Sequence, residues 1–102
     1  MSDIAELPRY MIVERFRESA QNQIYERFKA KGRMLPDGLY YIDSWLSSDS
    51  NICFQLMASD NKTLFEEWFQ HWNDLTDFEN HSLNDKPALY VANPRIHHRF
   101  LV

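Results

Sequence analysis

The sequence predicts one α+β domain in which strands and helices follow the order strand, helix, strand, strand, helix, strand. Three observations predict this order: two segments with apolar residues at helical spacing, four segments rich in β-branched and aromatic residues, and turn-forming residues between them. Because crossover connections are right-handed, the compact arrangement is a four-stranded antiparallel sheet with both helices on one face. We expect one domain over residues 1–102, with a core of about 9–83 and a C-terminal extension over 84–102.

The first half of the chain predicts a strand, a helix and a tight turn. Residues 10–16 (YMIVERF) combine β-branched and aromatic side chains and predict the first strand. Residues 20–31 (AQNQIYERFKAK) carry apolar side chains at helical spacing, with Ser19 as the candidate N-cap and Gly32 as a left-handed C-terminal residue. The LPDG segment then predicts a turn with Pro36 at its second position.

The second half predicts a hairpin, a second helix and a last strand. Residues 39–46 (LYYIDSWL) and 52–58 (ICFQLMA) are separated by five turn formers, which predicts a hairpin. Residues 59–75 predict a helix with Asp60 or Asn61 as its N-cap. Its apolar face consists of Leu64, Phe65, Trp68, Phe69, Trp72 and Leu75. A weaker strand is expected around residues 77–83, and the tail segments ALYVA and IHHRFLV are candidates for short strands.

Composition and charge exclude several classes of function. The net charge of −4, from 11 basic and 15 acidic residues, argues against a nucleic-acid partner, which would need a basic face. No segment approaches the roughly 18 apolar residues that span a bilayer, so no membrane partner is expected. An acidic N-terminal segment and the single cysteine, Cys53, predict a cytoplasmic protein without a disulfide. No cofactor or metal is predicted, because the histidines lack metal-ligand spacing: His71, His81, His97 and His98.

Strand alternation predicts which side chains share a face of the sheet. A hairpin turn centred on Asp49 would pair Trp45 with Cys53, Asp43 with Gln55, and Tyr41 with Met57. These six side chains are expected on the face without helices, because the alternate set is almost wholly apolar: Ile42, Leu46, Ile52, Phe54, Leu56 and Ala58. The first strand adds either the set that contains Glu14 or the set that contains Arg15. Because the uncovered face is aromatic and amphipathic, we predict a homodimer that packs sheet on sheet.

Polar residues near this predicted face are the candidate site residues. Asp43 is interpreted either as the cross-strand partner of Gln55 or, with Glu14, as a carboxylate whose pKa is raised by burial and which acts as a base. His71 is either a boundary histidine or a group that reaches between helix and sheet. The catalytic candidates are therefore Asp43 and His71. The candidate ligand-binding residues are Glu14, Arg33, Tyr41, Trp45, Gln55 and Trp68.

Several segments resemble a family of small stand-alone domains that carries only a domain-of-unknown-function label: YERFKAKGRMLPDGLYYIDSW, CFQLM and LFEEWFQHWNDLTDFE. That family is similar in outline to the dimeric α/β-barrel superfamily, which includes antibiotic-biosynthesis monooxygenases, haem-degrading oxygenases and stress-responsive barrel proteins. The resemblance implies a ferredoxin-like βαββαβ fold and a dimer whose two sheets face each other. The haem-degrading members use a histidine, an asparagine and a tryptophan. His71 and Trp68 match two of these, but Glu14 stands on the first strand where the asparagine would be.

Two functions follow as hypotheses. In the first, the chain forms a homodimeric α/β barrel that binds a small organic molecule in a pocket, as a metal-free oxygenase or isomerase. In the second, it is a non-catalytic interaction or regulatory module that uses its aromatic sheet face for assembly. A retained ligand would favour the first hypothesis, whereas a stable oligomer without an enclosed cavity would favour the second.

Overall fold

The structure, a computed structural model, describes residues 4–83. A short 3-10 helix over Ile4–Glu6 precedes the first strand. The main elements are β1 (Arg9–Phe16), α1 (Gln21–Lys31), β2 (Tyr40–Leu46), β3 (Ile52–Ala58), α2 (Thr63–Phe69) and β4 (Thr76–Ser82). This order confirms the predicted one. The two tail strands considered beyond residue 83 lie outside the described residues.

The four strands form one antiparallel sheet in the order β2-β3-β1-β4. The third strand therefore lies between the first and the second, as predicted, and β1 and β3 are the central strands. Both helices contribute side chains to one cavity over the same side of the sheet. We call this side the helix face and the opposite side the open face. The arrangement is the ferredoxin-like α+β fold. Within the described part of the chain, no helix is long and apolar enough to cross a membrane.

Aromatic side chains of α2 fill the space between the helices and the sheet. Phe65 and Trp68 are almost fully buried, together with Ile12 of β1 and Met57 of β3. The Phe65 ring lies 4.8 Å from the ring of Tyr10 in a tilted arrangement, a geometry that aromatic pairs favour. The core therefore depends on a few large side chains, which suits a domain with little interior volume.

The hairpin contains a β-bulge that the sequence analysis missed. Tyr41 pairs with Met57, as predicted, but a register shift between Tyr41 and Asp43 places Ser44, rather than Asp43, opposite Gln55. An extra residue on one strand displaces every later pair by one position. The predicted pairing of Trp45 with Cys53 is wrong for the same reason, and the observed pairs are Trp45 with Phe54 and Leu46 with Cys53.

The two faces of the sheet are partly exchanged relative to the prediction. Met57 and Ile12 pack in the core, so the residues that alternate with them face away from the helices. The open face thus carries Met11, Val13, Asp43, Trp45, Ile52, Phe54 and Leu56. Asp43 and Trp45 lie there as predicted, but Ile52, Phe54 and Leu56 do not form the helix-covered core. The prediction failed because both faces of the sheet carry enough apolar side chains to be buried. The large side chains of α2 supply much of the apolar core, so the helix face of the sheet can also carry polar groups.

The predictions for the two ends of α1 and for the turn after it were partly correct. Gly32 ends the helix with φ 68°, and its N–H donates to the carbonyl oxygen of Phe28 at 2.7 Å, which confirms the predicted C-terminal residue. Ser19 is not the N-cap, because its φ is 60° and Ala20 occupies that position. Pro36 is the first rather than the second residue of its turn, since its carbonyl accepts from the N–H of Leu39 at 3.2 Å.

Helix α2 is shorter than its apolar pattern predicted. The Asn61 side chain accepts a hydrogen bond from the backbone N–H of Thr63 at 3.1 Å, which stabilises the helix start. The helix ends at Phe69, and consecutive turns continue to Leu75. Trp72 and Leu75 remain buried in this irregular segment, so the helical spacing identified the core residues but not the helix end.

Candidate functional site

A cavity of about 300 Å³ lies between α1, the α2 region and the helix face of the sheet. This volume is at the lower end of the range for small-molecule sites. Its walls are mostly apolar and include Phe16, Ile24, Phe28, Leu46, Trp68 and Trp72. Its polar side chains include Glu14 of β1, Gln55 of β3 and Arg33 from the α1–β2 connection, together with Gln21, Ser44 and Ser50.

Two tryptophans anchor the backbone at Arg33. The indole N–H groups of Trp68 and Trp72 both donate to the Arg33 carbonyl oxygen, each at 3.0 Å. Both indoles are buried, so their N–H groups need partners, and one carbonyl oxygen has lone pairs for two donors. These bonds hold the chain after α1 against the α2 region and thereby set where the Arg33 side chain starts.

The Arg33 guanidinium is held by aromatic rings rather than by an acid. It stacks on the Tyr41 ring at 3.6 Å from the centroid and lies 5.2 Å from the Phe28 centroid. Its Nε donates a long hydrogen bond of 3.4 Å to Gln55 Oε1. Among residues 4–83, the ion pairs involve other side chains and Arg33 forms none. The cavity therefore contains a half-buried positive charge that forms no ion pair with a carboxylate of residues 4–83.

Glu14 is a buried carboxyl group that the side-chain amide of Gln55 links to the Arg33 guanidinium. Gln55 Nε2 donates a hydrogen bond to Glu14 Oε2, and both side chains are more than nine-tenths buried. Burial raises the pKa of Glu14 from 4.5 to about 7, while the Gln55 hydrogen bond and the Arg33 charge offset part of that rise. Glu14 can therefore gain or lose a proton near neutral pH.

Cys53 lies opposite Glu14 on the neighbouring strand. Burial, with a further contribution from the Glu14 charge, raises the pKa of its thiol to about 11. A thiol with this pKa is protonated at neutral pH and is a poor nucleophile. Cys53 therefore contributes a small, neutral part of the cavity wall.

The structure brings together some of the predicted site residues. Glu14, Arg33, Gln55 and Trp68 line the cavity. Tyr41 supports the guanidinium by stacking, and its hydroxyl shares a 2.7 Å hydrogen bond with the Ser44 hydroxyl. The proximity of Glu14 and Gln55 is confirmed by their hydrogen bond, but on the helix face, whereas Asp43 lies on the open face.

The remaining predicted residues lie elsewhere. Trp45 is half exposed on the open face. Asp43 is exposed, and its carboxylate accepts from the backbone N–H of Ser44 at 2.8 Å. His71 is exposed, and its hydrogen bonds are made by its backbone: its carbonyl accepts from Arg27 at 2.8 Å and its N–H donates to the Trp68 carbonyl at 3.1 Å. The catalytic roles of Asp43 and His71 stay predictions, and neither residue lines the cavity.

Sequence reasoning did not assign most of the wall residues to a site, and three of them show why. Ile24 and Phe28 are four positions apart on α1 and face the cavity together, a signal that helical spacing does contain. Ser44 enters the cavity only because the bulge moves it to the helix face, and no local pattern in β2 indicates this bulge. Among residues 4–83, no three His, Cys, Asp or Glu side chains gather as metal ligands would.

The comparisons with known proteins support the family assignment alone. No curated protein and no solved structure matches this chain. A family model described as a domain of unknown function, DUF3303, matches residues 8–86. This match covers most of the chain, including β1 to β4 and the cavity between them. The chain therefore belongs to the DUF3303 family, whose description assigns no activity.

Proposed function

We propose that this protein binds a small, mostly apolar organic molecule in the cavity and that Glu14 exchanges a proton with the bound molecule. The observation that carries this proposal is the hydrogen-bonded series Arg33–Gln55–Glu14 in an otherwise apolar, partly enclosed space. Buried polar groups are costly to maintain, and a core made only of packed side chains has no need of three of them.

The chemistry that suits this arrangement is acid–base catalysis without a metal. A group with a pKa near the working pH is the most effective donor or acceptor of protons, and Glu14 meets this condition at neutral pH. A nearby guanidinium stabilises negative charge on the ligand as the proton moves. Proton transfer of this kind is the central step of an isomerase and the first step of a metal-free oxygenase.

Blocking the cavity tests the binding proposal. Ile24→Trp would fill space beside α1, whereas Gln23→Trp adds the same side chain at an exposed position of the same helix. A ligand-observed NMR screen of small aromatic and aliphatic compounds should give binders to the wild type and to Gln23→Trp, but not to Ile24→Trp. Equal binding to both variants would place the ligand elsewhere and refute the proposal.

We also propose that two copies pack their open faces against each other. This face is largely apolar across β1 and β3, and Trp45 is 50 % exposed on it. The other apolar side chains named on this face are half-buried, except Val13, which is buried. An apolar face with an exposed tryptophan is typical of an interaction surface, and identical copies most often assemble about a two-fold axis. The same pairing of sheets would give the predicted dimeric α/β barrel.

Sedimentation velocity tests this assembly. Trp45→Arg should shift the protein from dimer to monomer, because a charge would be buried at the interface. Tyr25→Arg is the matched control, since it replaces an exposed aromatic residue on helix α1, over the helix face of the sheet. A wild-type monomer at high concentration would contradict the pairing. A dimer that binds no compound in the NMR screen would favour the non-catalytic interaction module instead.

A further inference from the structure

We infer that the ligand is a small apolar monocarboxylic acid, bound through its carboxylate by Arg33 and by the protonated form of Glu14, so that binding takes up a proton. This inference rests on the proposed function and specifies its ligand. It depends on the free hydrogen-bonding capacity of the two charged groups, on the charge balance of the cavity and on the chemistry of its walls.

Arg33 supplies the first recognition element. Its Nε is used by Gln55, but no described side chain is hydrogen-bonded to its two terminal amino groups. Stacking on Tyr41 fixes the plane of the guanidinium and leaves its edge as the donor surface. A planar guanidinium edge matches the two oxygens of a carboxylate better than a single carbonyl or hydroxyl oxygen. A half-buried cation that has no ion-pair partner in the part of the chain that the structure describes thus favours an anionic ligand.

Glu14 supplies the second element. Gln55 occupies one of its carboxyl oxygens and leaves the other for a ligand. Cys53 on β3 and Phe78 on β4 pair with Glu14 across the sheet, and the charge of Arg33 acts on it together with the Gln55 hydrogen bond. The indoles of Trp68 and Trp72 line the same cavity. Among these only Arg33 carries a positive charge. A ligand carboxylate beside an ionised Glu14 would bring two negative charges together, so Glu14 takes up a proton and donates it as a hydrogen bond.

The charge balance separates the ligand classes. Arg33, a carboxylate ligand and a neutral Glu14 sum to zero charge in an apolar cavity. A cationic ligand would leave a net positive charge there even with Glu14 ionised, which is unfavourable at low dielectric. A neutral ligand keeps the balance but leaves the guanidinium edge without a two-oxygen acceptor, which costs hydrogen bonds. When a carboxylate is bound, Glu14 is protonated and is therefore the proton donor in the exchange proposed above.

The walls limit the rest of the ligand. Ile24 and Phe28 on one side and Trp68 and Trp72 on the other offer apolar contacts and few further hydrogen-bonding groups. A cavity of about 300 Å³ accepts one aromatic ring or a short alkyl chain. Phenylacetate and hexanoate represent this class. Phenylacetamide is the matched neutral probe, because it has nearly the same shape as phenylacetate without its charge.

Isothermal titration calorimetry on the full chain tests the inference. We expect phenylacetate or hexanoate to bind at least tenfold more tightly than phenylacetamide. Titrations in two buffers with different ionisation heats should show uptake of roughly half a proton per ligand at pH 7, because free Glu14 is then about half ionised. Above this pH the affinity should fall towards tenfold per pH unit. Glu14→Gln should retain carboxylate binding and lose the proton uptake.

Arg33 variants and a control complete the test. Arg33→Gln should lower carboxylate affinity at least tenfold, and Arg33→Lys should lower it less, since it keeps the charge without the planar edge. Lys62→Gln removes an exposed positive charge outside the cavity, at the start of α2, and should change nothing. Circular dichroism confirms that each variant is folded.

The outcomes distinguish this inference from the proposed function. If phenylacetamide binds as tightly as phenylacetate, or if carboxylates bind without proton uptake, the inference is wrong while the cavity remains a ligand site. If no probe binds up to about 10 mM, both the inference and the binding proposal fail.

Discussion

Glu14→Gln should make the folded state less sensitive to pH. The pKa of Glu14 is raised to about 7 in the folded protein, against 4.5 for an ordinary glutamate. Between these values the folded state binds more protons than the unfolded chain, so the free energy of unfolding falls as pH rises. The stability that protonated Glu14 provides is thus complete below about pH 4.5 and lost above about pH 7.

The size of the effect follows from the pKa change. A rise from 4.5 to about 7 is roughly 2.5 pKa units, and one unit corresponds to about 1.4 kcal/mol. The ionisation of Glu14 therefore costs the folded state about 3 kcal/mol at alkaline pH. Since Glu14 is only 9 % exposed, solvent screening reduces this value little. An amide at position 14 keeps an acceptor for Gln55 but cannot ionise.

Urea unfolding followed by tryptophan fluorescence measures this difference at a fixed protein concentration. The wild type and Glu14→Gln should have similar free energies of unfolding near pH 4.5. At about pH 8 the variant should be the more stable by about 3 kcal/mol. Glu79→Gln is the control, because hydrogen bonding to His81 and the charge of Arg15 lower the pKa of Glu79, so its effect appears only in acid.

A constant difference between the wild type and Glu14→Gln from pH 4.5 to pH 8 would refute the reasoning. Glu14 would then titrate alike in the folded and unfolded states, and its burial beside Gln55 would not perturb it. The acid–base role proposed for the cavity would lose its main support at the same time.

Two further predictions concern the scaffold of the site. Gly38→Ala should destabilise the fold by about 1–3 kcal/mol, because φ is 95° and an added Cβ would lie 3.0 Å from the Leu64 side chain. Gly32→Ala, also at positive φ but with open space around it, should lower the stability less. Thermal unfolding compares the two variants, and a lower melting temperature for Gly32→Ala than for Gly38→Ala would contradict this prediction. Trp68→Phe and Trp72→Phe each remove one of two hydrogen bonds to the same carbonyl, so each should cost about 1–3 kcal/mol. Because the two indoles share this acceptor, the double variant should deviate from additivity by more than about 0.5 kcal/mol, and strict additivity in a double-mutant cycle would show that they act independently.

The sequence by itself determined the order of the elements and the order of the strands. Residues 52–58 form a strand with the predicted ends, and Gly32 ends α1 where a left-handed residue was expected. These features depend on local periodicity and on backbone conformations that few residue types adopt. The sequence of each segment is therefore enough to predict them. The right-handed crossover then leaves few arrangements of the sheet.

Only the tertiary structure decided which face of the sheet the helices cover. Alternation places Gln55 and Met57 on one face of β3 and Phe54 and Leu56 on the other. It does not say which of these two faces the helices cover, because the alternating pattern is the same in both cases. The choice depends on the fit of α2 aromatic side chains against β3 and against β1, which is distant from both in sequence. The bulge in β2 is likewise a consequence of pairing with β3, and it moves Ser44 into the cavity. Glu14 and Gln55 were recognisable as neighbours, but their burial under the helices, and hence the raised pKa of Glu14, is a property of the packed fold.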